Sequence, residues 1–496
     1  MTTPAPNSRE RPRVAVCVDL ERSARSGGQV RFWEKLAHAA ARAAPAFDLT
    51  VHVQGRRYGV EALAPHVRFV AHRPVLSTQW LGLSPEIPDH TDLAPFHPGL
   101  WRQLAGADVI HTTDAYFAYA RTAAVASRRL GARLVNSIHT DTPAYTRLYS
   151  ERLIRRCLGD GALARLAIER WRWPERLGAG MTRKLDRHLA LCDHVLITAV
   201  TDRSALAGGI AEERISVMRR GIDKQLFSPE KRDRAKLRAR YGVPEDAFVL
   251  AFVGRIDSGK SAMTLAEAAR RLLPAYPALA VLMVGEGADA PRIRALLGDR
   301  ACLPGTLEGE ALAHAYASAD AFVFPSRVEF TPNVVLEAKA SGLPVLVAPA
   351  SRLYVRRDGI DGVIIPEIEP EAWAQRIAAL IEDGAMRGAM ARAARADVVE
   401  HEPSWDDVLT EDVLPAWRQA MRRVARTQAR PHSVRTPSPL EGEVREGGMA
   451  NAMPPLPRRD PPPVNAGALP TSPSRGEGPS FPQILAQARA RLRSGS

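Results

Sequence analysis

Residues Ala321 to Ala348 restrict the fold more than any other stretch of this chain. Ala321–Pro325 (AFVFP) and Pro344–Ala348 (PVLVA) are short apolar runs, each long enough for one buried strand. The segment between them has the start and stop signals of a helix. Thr331 can cap it, Pro332 suits a first turn where its missing N–H is not needed, and Gly342 stands where a helix ends. Two acids bracket the helix start: Glu329 in the preceding loop and Glu337 eight positions later. Asn333, Glu337 and Ser341 recur every four residues and share one face, which leaves Val334, Val335 and Ala338 to pack.

The same alternation runs along most of the chain. Strand-like runs at Val14–Leu20, Leu49–Val53, Val67–Val70, Asp108–His111, Leu134–His139 and Val195–Ala199 are separated by helical patterns such as Ala115–Leu130. A second series starts near Ile215, with strands at Val249–Gly254, Leu279–Gly285, Ala321–Pro325, Pro344–Ala348 and Gly362–Ile365. Strands alternating with helices predict an α/β protein with two doubly wound parallel sheets, and 496 residues suffice for two cores. The four cysteines are scattered without a C-x-x-C pair and read as thiols of a reducing cytoplasm. The polar start MTTPAPNSRERPR has no apolar signal region, and no run of about 18 apolar residues would span a bilayer. A net charge of +13 calls for an anionic partner. No nucleic-acid-binding signature accompanies it, so the anion is expected to be a nucleotide diphosphate or a membrane surface.

A helix N-terminus attracts anions, and a carboxylate beside it accepts hydrogen bonds from paired hydroxyls. Phosphate plus diols describes a nucleotide sugar. Read alone, the two acids are better explained by Glu329 capping a helix and Glu337 as a solvated surface group. The wider pattern S-x2-E-x2-P-N-V-V-L-E-A-x-A-S-G-L-P-V resembles the signature of glycosyltransferase family 4, the retaining GT-B enzymes. Other segments fall in family order over residues 13 to 420: Gly27-Gly28, His139-Thr140-Asp141, Arg220-Gly221-Ile222-Asp223 with Phe227, Gly254-Arg255 with Lys260, and Gly285-Glu286-Gly287. Phe330 and Thr331 depart from the Gly or Thr then Phe that the family often shows after the first Glu.

The resemblance implies two Rossmann-like domains with parallel sheets facing a central cleft. It implies an acceptor domain (13–205), a nucleotide-sugar domain (206–402) and a terminal helix crossing back (403–426), while composition gives a flexible start (1–12) and a disordered Pro-rich tail (427–496). Thirteen of the 39 prolines lie in that tail. The resemblance further implies that Arg255 and Lys260 neutralise the donor diphosphate, that Glu337 holds the ribose and Glu329 the donor sugar, and that Gly28, Gly285, Thr331, Asn333 and Val334 line the donor site. His139 would touch the donor sugar with Glu329 as its catalytic partner, and Asp141 is a candidate on the acceptor side or a helix cap. No D-x-D pair is present, so transfer without a metal or other cofactor is expected. The expected reaction moves a hexose, mannose among the options, from a UDP- or GDP-sugar to a lipid or glycan with retention. A GT-B sugar epimerase and a non-catalytic sugar-binding subunit are the alternatives. Residues Tyr145 to His188 hold eleven lysines and arginines against five acids, interleaved with Trp171 and Trp173. Such a region either lies on an anionic membrane, making the protein peripheral on the inner face, or is a solvated helix face with Trp171 in the core.

Overall fold

The computed structural model describes residues 11–428, apart from 24–25, 82–90, 199–209, 328 and 330. Two sheets organise it. The first contains β1 (Arg13–Glu21), β2 (Asp48–Gln54), β3 (Gly59–Ala64), β4 (Val67–His72), β5 (Val109–Thr112), β6 (Arg133–Ser137), β7 (His194–Ile197) and β8 (Ile215–Val217), in the order β3-β4-β2-β1-β5-β6-β7-β8. The second contains β9 (Phe248–Val253), β10 (Leu279–Val284), β11 (Ala301–Gly305), β12 (Ala321–Phe324), β13 (Val345–Val347) and β14 (Val363–Ile364), in the order β11-β10-β9-β12-β13-β14. The central strands β1, β9, β10 and β12 are near-continuous apolar runs because helices cover both faces of a parallel sheet.

Two strands escaped the sequence reading, and both lie at sheet edges. Strand β3 pairs antiparallel with β4, so the first sheet is not wholly parallel; its residues are largely exposed and form no apolar run. Strand β11 contains Pro304, which an edge strand tolerates because one side needs no ladder hydrogen bond. The series expected to open near Ile215 also needs correcting. Residues Ile215–Val217 pair parallel with β7 and close the first sheet, so the chain changes unit after Val217. The boundary expected at 205/206 lies outside the described residues.

Each unit has its own core, and the chain end belongs to the first. Trp405, Val408, Val413 and Trp417 pack with Val16, Trp33 and Val51. Trp417 is 1% exposed, and its Nε1 donates to His111 Nδ1 at 2.9 Å. The chain therefore crosses between units twice, and the two crossings touch. The Ile222 N–H donates to the Pro403 carbonyl at 3.0 Å, and a Cβ on Gly221 would lie 2.7 Å from the Trp405 ring. Only glycine fits that approach. Of the expected tail, Thr427 and Gln428 end the Leu414–Gln428 helix, and the rest lies outside the described residues.

Candidate active site

The strand order of the second sheet reverses between β9 and β12, and open α/β sheets bind ligands outside the carboxyl ends of their strands at such a point. Two loops meet there. After β9, Asp257 pairs with Arg255 Nε at 3.0 Å and accepts the Lys260 backbone N–H at 3.1 Å. Ser261 closes this loop with φ of +53°, a left-handed conformation that a non-glycine residue keeps only when its surroundings impose it. After β12 comes Glu329. Lys260 Nζ forms an ion pair with Glu329 Oε1, and Ser326 Oγ donates to the same oxygen at 2.6 Å. The Glu329 side chain is only 9% exposed, so the pair is largely withdrawn from water.

Gly285 is required by a close backbone crossing. Its φ is +137°, and a Cβ there would fall 2.0 Å from the Gly254 carbonyl oxygen. The chain ends of β9 and β10 cross too closely for a side chain, and the Ile256 N–H to Glu286 carbonyl bond (2.9 Å) holds them together.

The helix between β12 and β13 spans Asn333–Ala340, and Thr331 does not cap it. Pro332 takes the cap position without a side-chain hydrogen bond, while Thr331 Oγ1 accepts from Arg220 Nε at 2.9 Å. A bond to a charged guanidinium outcompetes one to a backbone N–H. Asn333 Oδ1 is buried with no partner, and Val334 packs on the second core. Glu337 is half-buried and accepts from the Tyr316 hydroxyl at 3.1 Å. Burial pushes its carboxyl above the usual range, opposed by the Tyr316 hydroxyl and the charges of Lys35 and Arg31. Those two bases stand on the Gly28–Arg42 helix of the first unit, so Glu337 faces across the cleft. Arg31 also bridges the units through an ion pair with Glu308.

Gly28 opens that helix, whose N-terminus no side chain caps, and a Cβ there would meet nothing within 4 Å. His139 departs from the expectation that it lines the cleft. It is 5% exposed, shares a 2.8 Å hydrogen bond with Ser137, and packs its ring edge-on against Phe32 at 4.9 Å. Burial first, then Arg220 and His111, hold its pKa well below the ordinary value, so the ring stays neutral. Its Nδ1 is buried without a partner. Asp141 caps the Thr142–Leu158 helix, accepting the Ala144 N–H at 2.9 Å, and is exposed.

Residues 26–226 match the family described as Glycosyltransferase Family 4, and residues 233–397 match Glycosyl transferases group 1. The D-inositol 3-phosphate glycosyltransferase 1 of Catenulispora acidiphila is 30% identical over 348 residues, 66% of this chain and 76% of the relative. This chain belongs to glycosyltransferase family 4. The D-inositol 3-phosphate glycosyltransferase of Thermobifida fusca is 28% identical over 355 residues, 67% of this chain and 75% of the relative. Among solved structures, Anabaena HepE in complex with UDP-glucose has a TM-score of 0.57 at 18% identity, over 84% of this chain and 99% of that one. Sucrose-phosphate synthase of Thermosynechococcus elongatus gives 0.56 at 19%, with 84% and 99% covered. These likenesses establish the GT-B fold.

In this family 4 glycosyltransferase the structure brings Arg255, Lys260 and Glu329 together, and sets Glu337 on the helix that follows. It leaves His139 behind Phe32 and Asp141 at the root of another helix. Three residues escaped the sequence reading. Ser326 and Tyr316 orient the two glutamates; Ser326 opens the S-x2-E motif without a role being read from it, and Tyr316 lies outside every motif. Arg220 was read only as part of a motif, and nothing in the sequence separates it from its neighbour Arg219. Phe330 lies outside the described residues.

Proposed function

We propose that this glycosyltransferase moves a hexose from a UDP- or GDP-sugar to a lipid or glycan acceptor, with retention and without a metal ion. The observation that carries this reading is the Lys260–Glu329 ion pair at the switch point of the second sheet, with Arg255 on the same loop. An arriving diphosphate competes for Lys260. Glu329 is thereby released from its ion pair and can accept hydroxyls of the donor sugar, while the two cations stabilise the leaving phosphate as its charge develops. Glu337 then holds the ribose. Once released, Glu329 is engaged by Ser326 and the sugar hydroxyls, and His139 is buried, which favours front-face transfer assisted by the leaving phosphate over a covalent enzyme intermediate. With Arg255 and Lys260 serving the diphosphate, activity should survive EDTA; abolition by chelator and rescue by Mn²⁺ or Mg²⁺ would contradict this.

The acceptor panel should include a phosphorylated cyclitol, because the relatives above are named for inositol 3-phosphate. A site at the inner face of a membrane is part of the same reading, supported by the exposed helical arm 142–191. The deciding experiment is a thermal-shift panel of UDP, GDP and their sugars, followed by determination of the product's anomeric configuration by NMR. One base should stabilise the protein and the α-linkage of the donor should persist in the product. No stabilisation by any nucleotide, or an inverted product, would overturn the reading.

A further inference from the structure

Arg219 and Arg220 are adjacent on the crossing between the units, and their environments are opposite. Arg219 is 40% exposed in its side chain and has two acids: it contacts Asp412 at 2.8 Å and Glu411 at 2.7 Å, and these hold its charge firmly. Arg220 is 6% exposed, and among the described residues no carboxylate pairs with it. Its guanidinium lies 4.5 Å above the Phe32 ring of the first unit. Its Nε is committed to Thr331 Oγ1 of the second unit, and its Nη1 is buried with no hydrogen-bond partner. Burial lowers its pKa to about 10, which still leaves it a cation at neutral pH.

A buried charge without a counter-charge is costly, and a planar fork of donors with a vacant arm is suited to phosphate. The place where the fork sits is also suited to phosphate. Thr331 is two residues before Asn333, the first residue of the Asn333–Ala340 helix, and no side chain caps that N-terminus. The helix dipole and the guanidinium therefore favour negative charge at one point. Phe32, His139, Thr331 and Tyr354 surround the cation, and burial keeps both that titrate, His139 and Tyr354, neutral. Among the described residues no neighbour supplies the missing anion.

We propose that Arg220 is a third phosphate-binding cation of the donor site, contributed by the crossing segment, whose counter-charge arrives only with the nucleoside diphosphate. Because it touches Phe32 of one unit and Thr331 of the other, it joins both units to the bound phosphate. This rests on the reading of the donor as a nucleotide sugar, and the experiment separates the two.

The test measures binding of UDP, GDP, uridine and guanosine to wild-type protein, Arg220→Met and Arg220→Lys by titration calorimetry, with melting temperatures in the absence of ligand. If the wild type binds neither diphosphate, the nucleotide-sugar reading fails and this proposal falls with it. If it binds one, Arg220→Met should bind that diphosphate at least about tenfold more weakly, the scale of a lost bond to a charged group. Binding of the matching nucleoside should be unchanged, and Arg220→Lys should recover part of the loss. The ligand-free melting temperature of Arg220→Met should equal or exceed that of wild type, since the variant removes an uncompensated buried charge. Unchanged diphosphate affinity overturns the proposal and leaves the nucleotide-sugar reading standing. So does a marked fall in ligand-free stability or failure to fold, which would show that the guanidinium serves the fold.

Discussion

At the residue scale the two glutamates share a side-chain type and differ in what holds them. Glu329 is held by a cation and a hydroxyl, whereas Glu337 is held by a neutral phenol and faces Lys35 and Arg31 from a distance. Glu337→Gln keeps the size and can still accept from Tyr316, but its amide offers one acceptor oxygen where a carboxylate offers two. Affinity for the free nucleoside diphosphate should fall by about 1.5–3 kcal/mol. Glu329→Gln should bind that ligand like wild type and lose turnover, because its expected partner is the sugar that reorganises in the transition state. Calorimetry with the diphosphate separates them, and equal losses would refute the division of roles. The raised pKa of Glu337 adds a sign. The carboxylate is needed to accept two hydroxyls, so affinity should decline on acidification from a higher pH than an ordinary glutamate would give. Glu337→Gln should flatten that part of the profile.

At the element scale, the Asn333–Ala340 helix is anchored from behind by a charge. Lys339 is fully buried and donates to Asp361 at 3.1 Å, to Asp397 at 2.6 Å and to the Tyr354 carbonyl. Replacing only the lysine leaves, among the described residues, buried Asp361 with no cation and Asp397 with Arg356 as its one permanently charged partner. Lys339→Met should therefore cost roughly 3 kcal/mol and lower the melting temperature, even though a methionine there is apolar and of similar length. A variant as stable as wild type would show that the network contributes little. The second element with a consequence is the helical arm of Thr142–Leu158 and Trp173–Leu191, which leave the sheet beside Asp141. Trp171 was one option for the core, yet it is 44% exposed and stacks on Trp173, which is 49% exposed. Leu153, Leu163 and Leu177 are exposed at 46%, 65% and 51%. Apolar groups set among excess arginines suit an anionic lipid surface. The protein should co-sediment with anionic vesicles and be released by high salt; indifference to lipid charge would argue for another partner.

For the whole molecule, buried histidines set the response to pH. Burial depresses His72 to about 4, His111 to about 3 and His188 to about 4, and holds His52 and His139 well below the ordinary value. In the unfolded chain each returns to about 6.5. Between the folded and unfolded values the unfolded chain binds more protons, so stability present above pH 6.5 is lost as pH falls, by up to ~1.4 kcal/mol per histidine per pH unit. Asp19, Asp114 and Glu337 are raised by burial and act in the opposite sense, gaining stability as they protonate. His38 and His314 are lowered as well, as are the hydrogen-bonded carboxylates of Glu61 and Asp407. Seven histidines and two acids against three raised acids predict a melting temperature that falls between pH 6.5 and 4. A flat profile would show that these rings are hydrated. Among the described residues no helix is long and apolar enough to cross a membrane.

The sequence by itself determined the architecture, because apolar runs of strand length alternating with capped helices have one economical packing, two covered parallel sheets. The family resemblance marked Glu329, Glu337, Arg255 and Lys260 as candidates, and strand order brings together the segments after β9 and β12 that carry them. The sequence did not show edge strands β3 and β11, whose burial is too slight to leave an apolar pattern. Nor did it show that His139 lies behind Phe32, or that Gly285 exists for a backbone crossing with Gly254. Both depend on neighbours remote in the chain. The contrast between Arg219 and Arg220 is the plainest case. The two are identical and adjacent in sequence. Only the fold decided that one meets Asp412, carried back by the returning C-terminal segment, while the other is closed between Phe32 and Thr331 with its charge unanswered.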